Sequence, residues 1–486
     1  VNWEKEALQG LPATGGIIHS DDIRMEGYRE DTMMRGAPDA LVIPADAGEI
    51  RDILAYCNGH RIPVTFCGSR TSMTGASVPY DGVLISTEKL DAIIDIEGSD
   101  RALAICEPGV VVADLQRRAA EAGLFHPVAP TSRDECRIGG NIATNATGED
   151  SYKYGPVRPY VQELEIILPD GTMRTLAREE DESASMERNR AGYFTAWKNP
   201  IDLIVGSEGT LAFVSKIKLR LISRNPQFFS LLIPLSSNDQ ALEMVMQLLL
   251  GTTGLAPRAL ELIDDHALAM MRTAEGFSGV HKNVTAMLYV KQEYESLEER
   301  DRWLERWFDY VSPFAGQELI DSFLVALTPV DQDRFRLWRH RIPEGANEFG
   351  RAHWDEGGGK VGSDWWVPLE KIPDMMAHFY SRARASGLPS MAYAHIGAGH
   401  PHTNLLCRNA AEKVLANEAL HDCCRKAVAL GGGVAGEHGI GKLHTDLMPF
   451  QHDARTIERM KQWKREYDPN WILGQGTIFD SVTRNS

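Results

Sequence analysis

The sequence predicts an α+β protein of at least two domains, on three observations. The chain has 486 residues, more than one hydrophobic core usually serves. Strand, helix, strand and loop patterns succeed one another between residues 40 and 86. After about residue 222 the texture changes to longer strand-like and helix-like runs, which suggests a separate α+β domain of mixed sheet and covering helices.

Each element has a local reason. "ALVIPADAGEIRDILAYCNGHRIPVTFCGSR" begins as an apolar strand, then offers Asp46 as a helix cap. Ile50, Ile53, Leu54 and Cys57 follow at helical spacing and form one stripe. "PVTFCG" reads as a strand entering a loop, and "DGVLIST" as the next strand. A second helix, "VVADLQRRAAEAG", stops at Gly123, a residue suited to a left-handed end. "VQELEIILPDGTMRTL" has two β-rich arms around a Pro-Asp-Gly turn, and "DLIVGSEGTLAFVSKIKLRLI" alternates in its second half like a half-buried strand. Beyond residue 222, "QFFSLLIPL" and "NVTAMLYVKQEY" are strand-like and "DQALEMVMQLLLG" is helix-like. "YESLEERDRWLERWFDYV" reads as a solvated amphipathic helix.

Composition narrows the function. With 51 basic and 68 acidic residues the net charge is -17, which repels nucleic acid and anionic lipid. No apolar run approaches the roughly 18–20 residues that span a bilayer. "VNWEKEALQGLPATGG" lacks the basic start and apolar core of a signal peptide, so a cytoplasmic chain is expected, with peripheral docking to a membrane redox complex still compatible. The seven cysteines form neither a CxxC pair nor an iron–sulfur run, which suits reduced thiols.

Two stretches point to a large polar cofactor. "GSRTSMTGA", residues 68–76, follows a strand and can aim several backbone N–H groups at one anion, yet it is neither a Walker loop nor a GxGxxG fingerprint. "PTSRDECRIGGNIATNATGEDSYKYGPVRPYV", residues 130–161, interleaves Gly, Asn, Thr and Ser with apolar residues, as a backbone wrapped around a cofactor requires. Two further stretches are rich in histidine. "MAYAHIGAGHPHTNLL" holds His395, His400 and His402 in a glycine-rich setting unsuited to a helix, and "GGGVAGEHGIGKLH" adds Glu437, His438 and His444. Imidazoles and a carboxylate are ligands of catalytic divalent metals. By spacing alone these stretches stand either as a metal site or as solvated polar loops.

"PDALVIPADAGEIRDIL", "GSRTSMTGA", "PTSRDECRIGGNIATNATG", "YKYG" and "VGSEGTLAFVSKIKLRL", in that order and spacing, resemble the FAD-binding domain of the vanillyl-alcohol-oxidase superfamily. The chain is most similar to the branch of D-lactate dehydrogenase, glycolate oxidase and D-2-hydroxyglutarate dehydrogenase, over about residues 37–478. The resemblance implies a two-subdomain PCMH-type FAD domain over 1–222, with its core at about 37–222. An α+β substrate (cap) domain with an antiparallel sheet is implied over 223–430, and a segment over 431–486 that carries the Glu-His motif and returns to the FAD domain. It implies FAD contacts from Gly68, Ser69, Arg70, Thr71, Ser72 and Gly75, and from Pro130, Thr131, Gly139, Gly140, Asn141, Ala143, Thr144 and Gly148. Glu208, Gly209 and Val214 complete the set. The first loop lacks the histidine that often tethers FAD, so non-covalent flavin is implied.

The resemblance further implies a divalent metal (Zn, or Mn/Fe) on His395, His402 and Glu437, with His438 as general base and Asn404 near the substrate. The family's Leu-Trp-x-x-Arg pattern selects Arg341 to hold the substrate carboxylate, and Lys360 matches a second basic position. "HIGAGHPH" departs from the pattern at Ala398, His400 and Pro401, and His400 is read as exposed or facing substrate. Trp365 and Trp366 are expected to narrow the pocket or favour an aromatic acid. The implied reaction is oxidation of a D-2-hydroxy acid, with electrons leaving to a protein or quinone. The rivals are a metal-free oxidase of aromatic alcohols and an FAD electron-transfer subunit. A homodimer or a redox-complex subunit fits either case.

Overall fold

A computed structural model describes residues 3–98, 102–179, 185–223 and 226–480. The chain divides into two compact units. The first comprises Val1–Thr147, Gly155–Asn225 and Ala435–Ser486, and the second Gly148–Tyr154 and Pro226–Val434.

In the first unit a four-stranded sheet runs in the order Ile18–His19, Ala40–Val42, Val83–Ser86, Val64–Cys67. The last three strands are mutually parallel, and helix Ala47–His60 connects two of them. Asp46 caps that helix by accepting the Glu49 N–H at 2.9 Å, and Ile50, Ile53, Leu54 and Cys57 are wholly buried beneath it. A five-stranded antiparallel sheet orders Ile93–Glu97, Leu103–Cys106, Phe213–Arg220, Val161–Ile167 and Met173–Ala177. The Pro-Asp-Gly turn joins the last two strands, with Gly171 at φ 83. The C-terminal segment returns to the first sheet, where the Val64 N–H donates to the Ile472 carbonyl and the Gly474 N–H to the Val64 carbonyl, both at 2.8 Å.

The second unit is a seven-stranded sheet in the order Leu324–Ala326, Gln227–Leu235, Ala286–Tyr294, Ala259–Ile263, Ser390–His395, His400–Asn409, Gly357–Gly362. Every pairing is antiparallel, so the mixed sheet suggested by texture alone is not formed. Helix Leu297–Ile320 is amphipathic but not simply solvated: Trp307 and Val311 are fully buried, and the Trp307 indole donates to Gln292 at 3.1 Å.

The sheet has two unlike faces. Residues directly opposite in an antiparallel pair share a face. Leu231, Leu262, Leu288, Val290 and Leu405 therefore line the apolar side, and Glu261, Tyr289, Lys291, His402 and Asn404 the other. All seven cysteines are buried. Among the described residues no helix is long and apolar enough to cross a membrane.

Candidate active site

In the first unit, the loop after strand Val64–Cys67 carries the Gly68–Gly75 stretch. Arg70 takes a left-handed backbone, φ 57, with its guanidinium 4.5 Å over the Tyr28 ring. Ser69 donates to the Glu135 carbonyl at 2.6 Å, and the Ser72 and Thr74 hydroxyls lie 3.3 Å apart. The Gly75 N–H donates to the buried Asp31 carboxylate at 3.0 Å. Thr71 is half-buried and Thr131 exposed, just after Pro130, whose carbonyl accepts the Arg133 N–H.

Helix Ile138–Thr144 contains Gly139, Gly140, Asn141, Ala143 and Thr144. A Cβ on Gly139 would lie 2.6 Å from the Pro108 side chain, whereas Gly140 opens on free space. Buried Nδ2 of Asn141 and Oγ1 of Thr147 find no partner among the described residues, and a buried polar atom without a partner is costly. Such an arrangement fits a polar cofactor lying along this backbone. Val214 is half-buried on strand Phe213–Arg220, and Gly209 has φ 71. Gly148 falls in the second unit, where its N–H donates to Ser151.

Glu208, expected beside the cofactor, uses its carboxylate to hold backbone. Its two oxygens accept the N–H groups of Ile440 at 2.9 Å and Gly441 at 2.7 Å. The Thr74 carbonyl accepts the N–H groups of Lys442 and Leu443. Gly441 has φ 55, and a Cβ there would lie 2.1 Å from the Thr74 carbonyl oxygen, so only glycine fits. The loop following Glu437 and His438 is thus fastened to the Gly68–Gly75 stretch by backbone hydrogen bonds.

In the second unit, "MAYAHIGAGHPHTNLL" is a β-hairpin. A 3-10 turn, Ile396–Ala398, joins strands Ser390–His395 and His400–Asn409, in a register that sets His395 opposite His400, Tyr393 opposite His402 and Met391 opposite Asn404. All three imidazoles therefore lie on the polar face. Their ring centroids are 5.2 Å apart for His395–His402 and 4.5 Å for His400–His402.

A carboxylate from a neighbouring segment holds each outer ring. Glu261 Oε1 lies 2.8 Å from His395 Nδ1, and Asp364 Oδ1 lies 2.9 Å from His400 Nε2. Asp364, His400 and His402 present ligand atoms all within 4.8 Å of one another, a donor set suited to a divalent cation. Neither solvated loops nor an exposed His400 is found, because the strand pairing turns the rings under cover. His400 is 4% exposed.

The same face carries Lys360, opposite Leu406, with Gly362 opposite Asn404. Lys360 donates to Asn347 at 2.7 Å, and burial pushes its ammonium pKa down to about 8.

Arg341 does not join this face. Its fork is closed on Glu348 by two hydrogen bonds of 2.8 and 2.7 Å, with a third to Thr273, near solvent. Arg339 takes the inner position instead, its guanidinium 4.2 Å from the Tyr289 ring centroid and paired with Glu149 and Glu261. Residues two apart on an α-helix are about 200° apart, so Arg341 and Arg339 lie on opposite sides of helix Pro329–Ala352. Trp365 is fully buried on the apolar side, lining a small cavity with Phe379 and Leu405, so it does not narrow the histidine face. Trp366 is half-buried, and its backbone exchanges two hydrogen bonds with Gly433.

Arg339, Glu261 and Asp364 were missed from the sequence. The available signals were a charged residue inside the apolar run "ALELI" and a carboxylate directly before a tryptophan pair.

The first unit has a glycine-rich polar backbone that fits a polar cofactor, and the second has a covered polar sheet face; both suit a cofactor-dependent oxidoreductase. Residues 38–177 match the FAD binding domain family and residues 227–478 the C-terminal domain of FAD linked oxidases. The chain belongs to the FAD-linked oxidases. It is 28% identical to glycolate oxidase subunit GlcD of Bacillus subtilis, over 99% of this chain and 98% of that one. It is 30% identical to D-lactate dehydrogenase of Archaeoglobus fulgidus, over 94% and 96%. It is 27% identical to D-2-hydroxyglutarate dehydrogenase of Stutzerimonas stutzeri, over 98% of each chain. The solved structure of 4-ethylphenol oxidase from Gulosibacter chungangensis shares the fold, with a TM-score of 0.71, at 16% identity, over 99% of this chain and 97% of that one.

Proposed function

We propose that the protein oxidises a D-2-hydroxy acid to the 2-oxo acid and passes the electrons to an acceptor other than a nicotinamide. The observation that carries this reading is the covered face that groups His395, His402, Asn404 and Lys360 on adjacent strands. The names of the relatives in glycolate, D-lactate and D-2-hydroxyglutarate oxidation support it. FAD would be held non-covalently along residues 68–75 and 130–144, where it would supply a two-electron acceptor. His395, His402 and Glu437 would hold a divalent cation, which would supply Lewis acidity toward the α-hydroxyl.

The side chains then have distinct tasks. Lys360 offers a buried cation to the carboxylate, where the low dielectric strengthens the attraction. The Asn404 amide donates a hydrogen bond that fixes the orientation of the acid. His438 takes the hydroxyl proton as the α-hydrogen departs.

Two results are expected. D-lactate, glycolate or a larger D-2-hydroxy acid should bleach the flavin's visible absorbance anaerobically, with chelator-treated protein slowed and then restored by zinc or manganese. Bound flavin that no hydroxy acid reduces would sink the reading. KM should rise as pH climbs through about 8 and Lys360 loses its charge. The Lys360→Met variant should have a KM raised about tenfold or more and lack that rise, whereas Arg341→Met should leave KM within about twofold, since its fork is already paired with Glu348. The reverse ranking would restore Arg341 as the carboxylate partner.

A further inference from the structure

We propose that Lys442 is a cofactor-binding residue, the side-chain cation that receives the pyrophosphate of FAD and so sets how slowly the cofactor leaves. The inference rests on the reading that FAD lies along residues 68–75, and extends it to the C-terminal part of the same unit.

The backbone sets the place. The Lys442 N–H donates to the Thr74 carbonyl at 2.8 Å, and a Cβ on Gly75 would lie 3.6 Å from the Leu443 side chain. Lys442 therefore starts beside the turn whose N–H groups can be aimed at one anion.

The ammonium is buried away from any opposite charge. Lys442 is 7% exposed, and its Nζ donates to the Thr477 hydroxyl at 2.9 Å. A lysine ammonium carries three donors. Among the described residues that neutral oxygen is the one acceptor that reaches it, and no carboxylate comes within ion-pair distance. The two carboxylates whose field it feels, Glu208 and Asp31, hold backbone instead. Glu208 accepts the N–H groups of Ile440 and Gly441, and Asp31 those of Met33, Met34 and Gly75. Burial accordingly pushes the ammonium pKa down to about 8 against the pull of both. The Tyr80 ring, its centroid 5.6 Å from Nζ, lies over the cation.

A second buried lysine of the same unit shows the usual arrangement. Lys464 donates to the Asp468 carboxylate and to the carbonyls of Thr210 and Leu473. Lys442 has no such set. A buried cation is costly unless an opposite charge comes to it, and a pyrophosphate supplies both negative charge and acceptor oxygens. The molecule thus holds, beside its glycine-rich turn, a cation that FAD would complete.

The test follows FAD release from diluted holoenzyme by the rise of flavin fluorescence, on wild type, Lys442→Met, Lys442→Gln, Lys442→Arg and Thr477→Val. Loss of the charge in Lys442→Met should speed release about 30-fold or more, the scale for truncating one partner of a buried charge pair. Lys442→Gln keeps a polar group within reach of Thr477 and should match the methionine variant, which separates loss of charge from loss of packing. Lys442→Arg keeps the charge and should stay within about fivefold of wild type, and Thr477→Val, which removes a neutral acceptor alone, within about threefold. Release within threefold of wild type in both Lys442→Met and Lys442→Gln would overturn the proposal. So would a Thr477→Val variant that releases FAD as fast as Lys442→Met, since the hydrogen bond to the C-terminal segment would then explain the loss. A wild-type protein that holds no FAD would overturn the flavin reading itself, whereas unaltered release in the Lys442 variants overturns the cation alone.

Discussion

Lys464→Met is expected to lower stability by about 3–5 kcal/mol, the usual consequence of removing one partner of a buried ion pair. Lys464 on helix Ala454–Tyr467 is 3% exposed, and its ammonium donates to Asp468 at 2.5 Å and to the carbonyls of Thr210 and Leu473 at 2.6 and 3.0 Å. Asp468 is fully buried and also accepts the N–H groups of Ile472 and Leu473. Methionine fills much of the same volume but leaves a carboxylate without its cation and two carbonyls without a donor. The damage should spread, because Ile472 and Gly474 hydrogen-bond to Val64, on the strand that leads into Gly68. Denaturant unfolding followed by flavin fluorescence should show a lower midpoint together with earlier release of FAD. A change below about 1 kcal/mol would mean that this cluster does not hold the C-terminal segment to the sheet.

The contrast between Lys464 and Glu261 shows which parts of this molecule can be read from sequence. Helix Ala47–His60 was legible because its cap and its stripe lie within one short window, and Ile50, Ile53, Leu54 and Cys57 are all fully buried. The hairpin Val161–Ile167 with Met173–Ala177 was legible for the same reason, since alternation and turn chemistry are local. The histidine stretch was legible as chemistry but not as geometry. Three histidines in eight positions signal ligands, yet only the partner strands decide which face they take. Arg339 carried no local mark, and the marks on Glu261 and Asp364 did not name their partners, because those depend on register and on helix phase against distant segments. The family pattern could name Arg341 but could not turn the helix. A charge inside an apolar strand, as in Ala259–Ile263, marks a partner brought from elsewhere, since such a charge is rarely buried alone.

His438→Ala should slow reduction of the bound flavin by substrate about 10²- to 10⁴-fold, the range for loss of a positioned general base, with flavin content unchanged. The argument begins with the loop, not the ring. Glu208 grips the N–H groups of Ile440 and Gly441, and Thr74 accepts those of Lys442 and Leu443, so the backbone just after His438 is fixed whatever its side chain. Removing the imidazole therefore tests proton transfer without loosening the scaffold. Metal binding, if it uses the neighbouring Glu437, should survive in His438→Ala and disappear in Glu437→Ala. Glu208→Ala supplies the complementary case: with the imidazole present but the loop unfastened, reduction should slow, because His438 rides on that backbone. Stopped-flow reduction separates these outcomes, since it reads the step at which the hydroxyl proton is lost. If His438→Ala reduces its flavin at the wild-type rate, the proton leaves by another route, and the brace would then serve Glu437 alone.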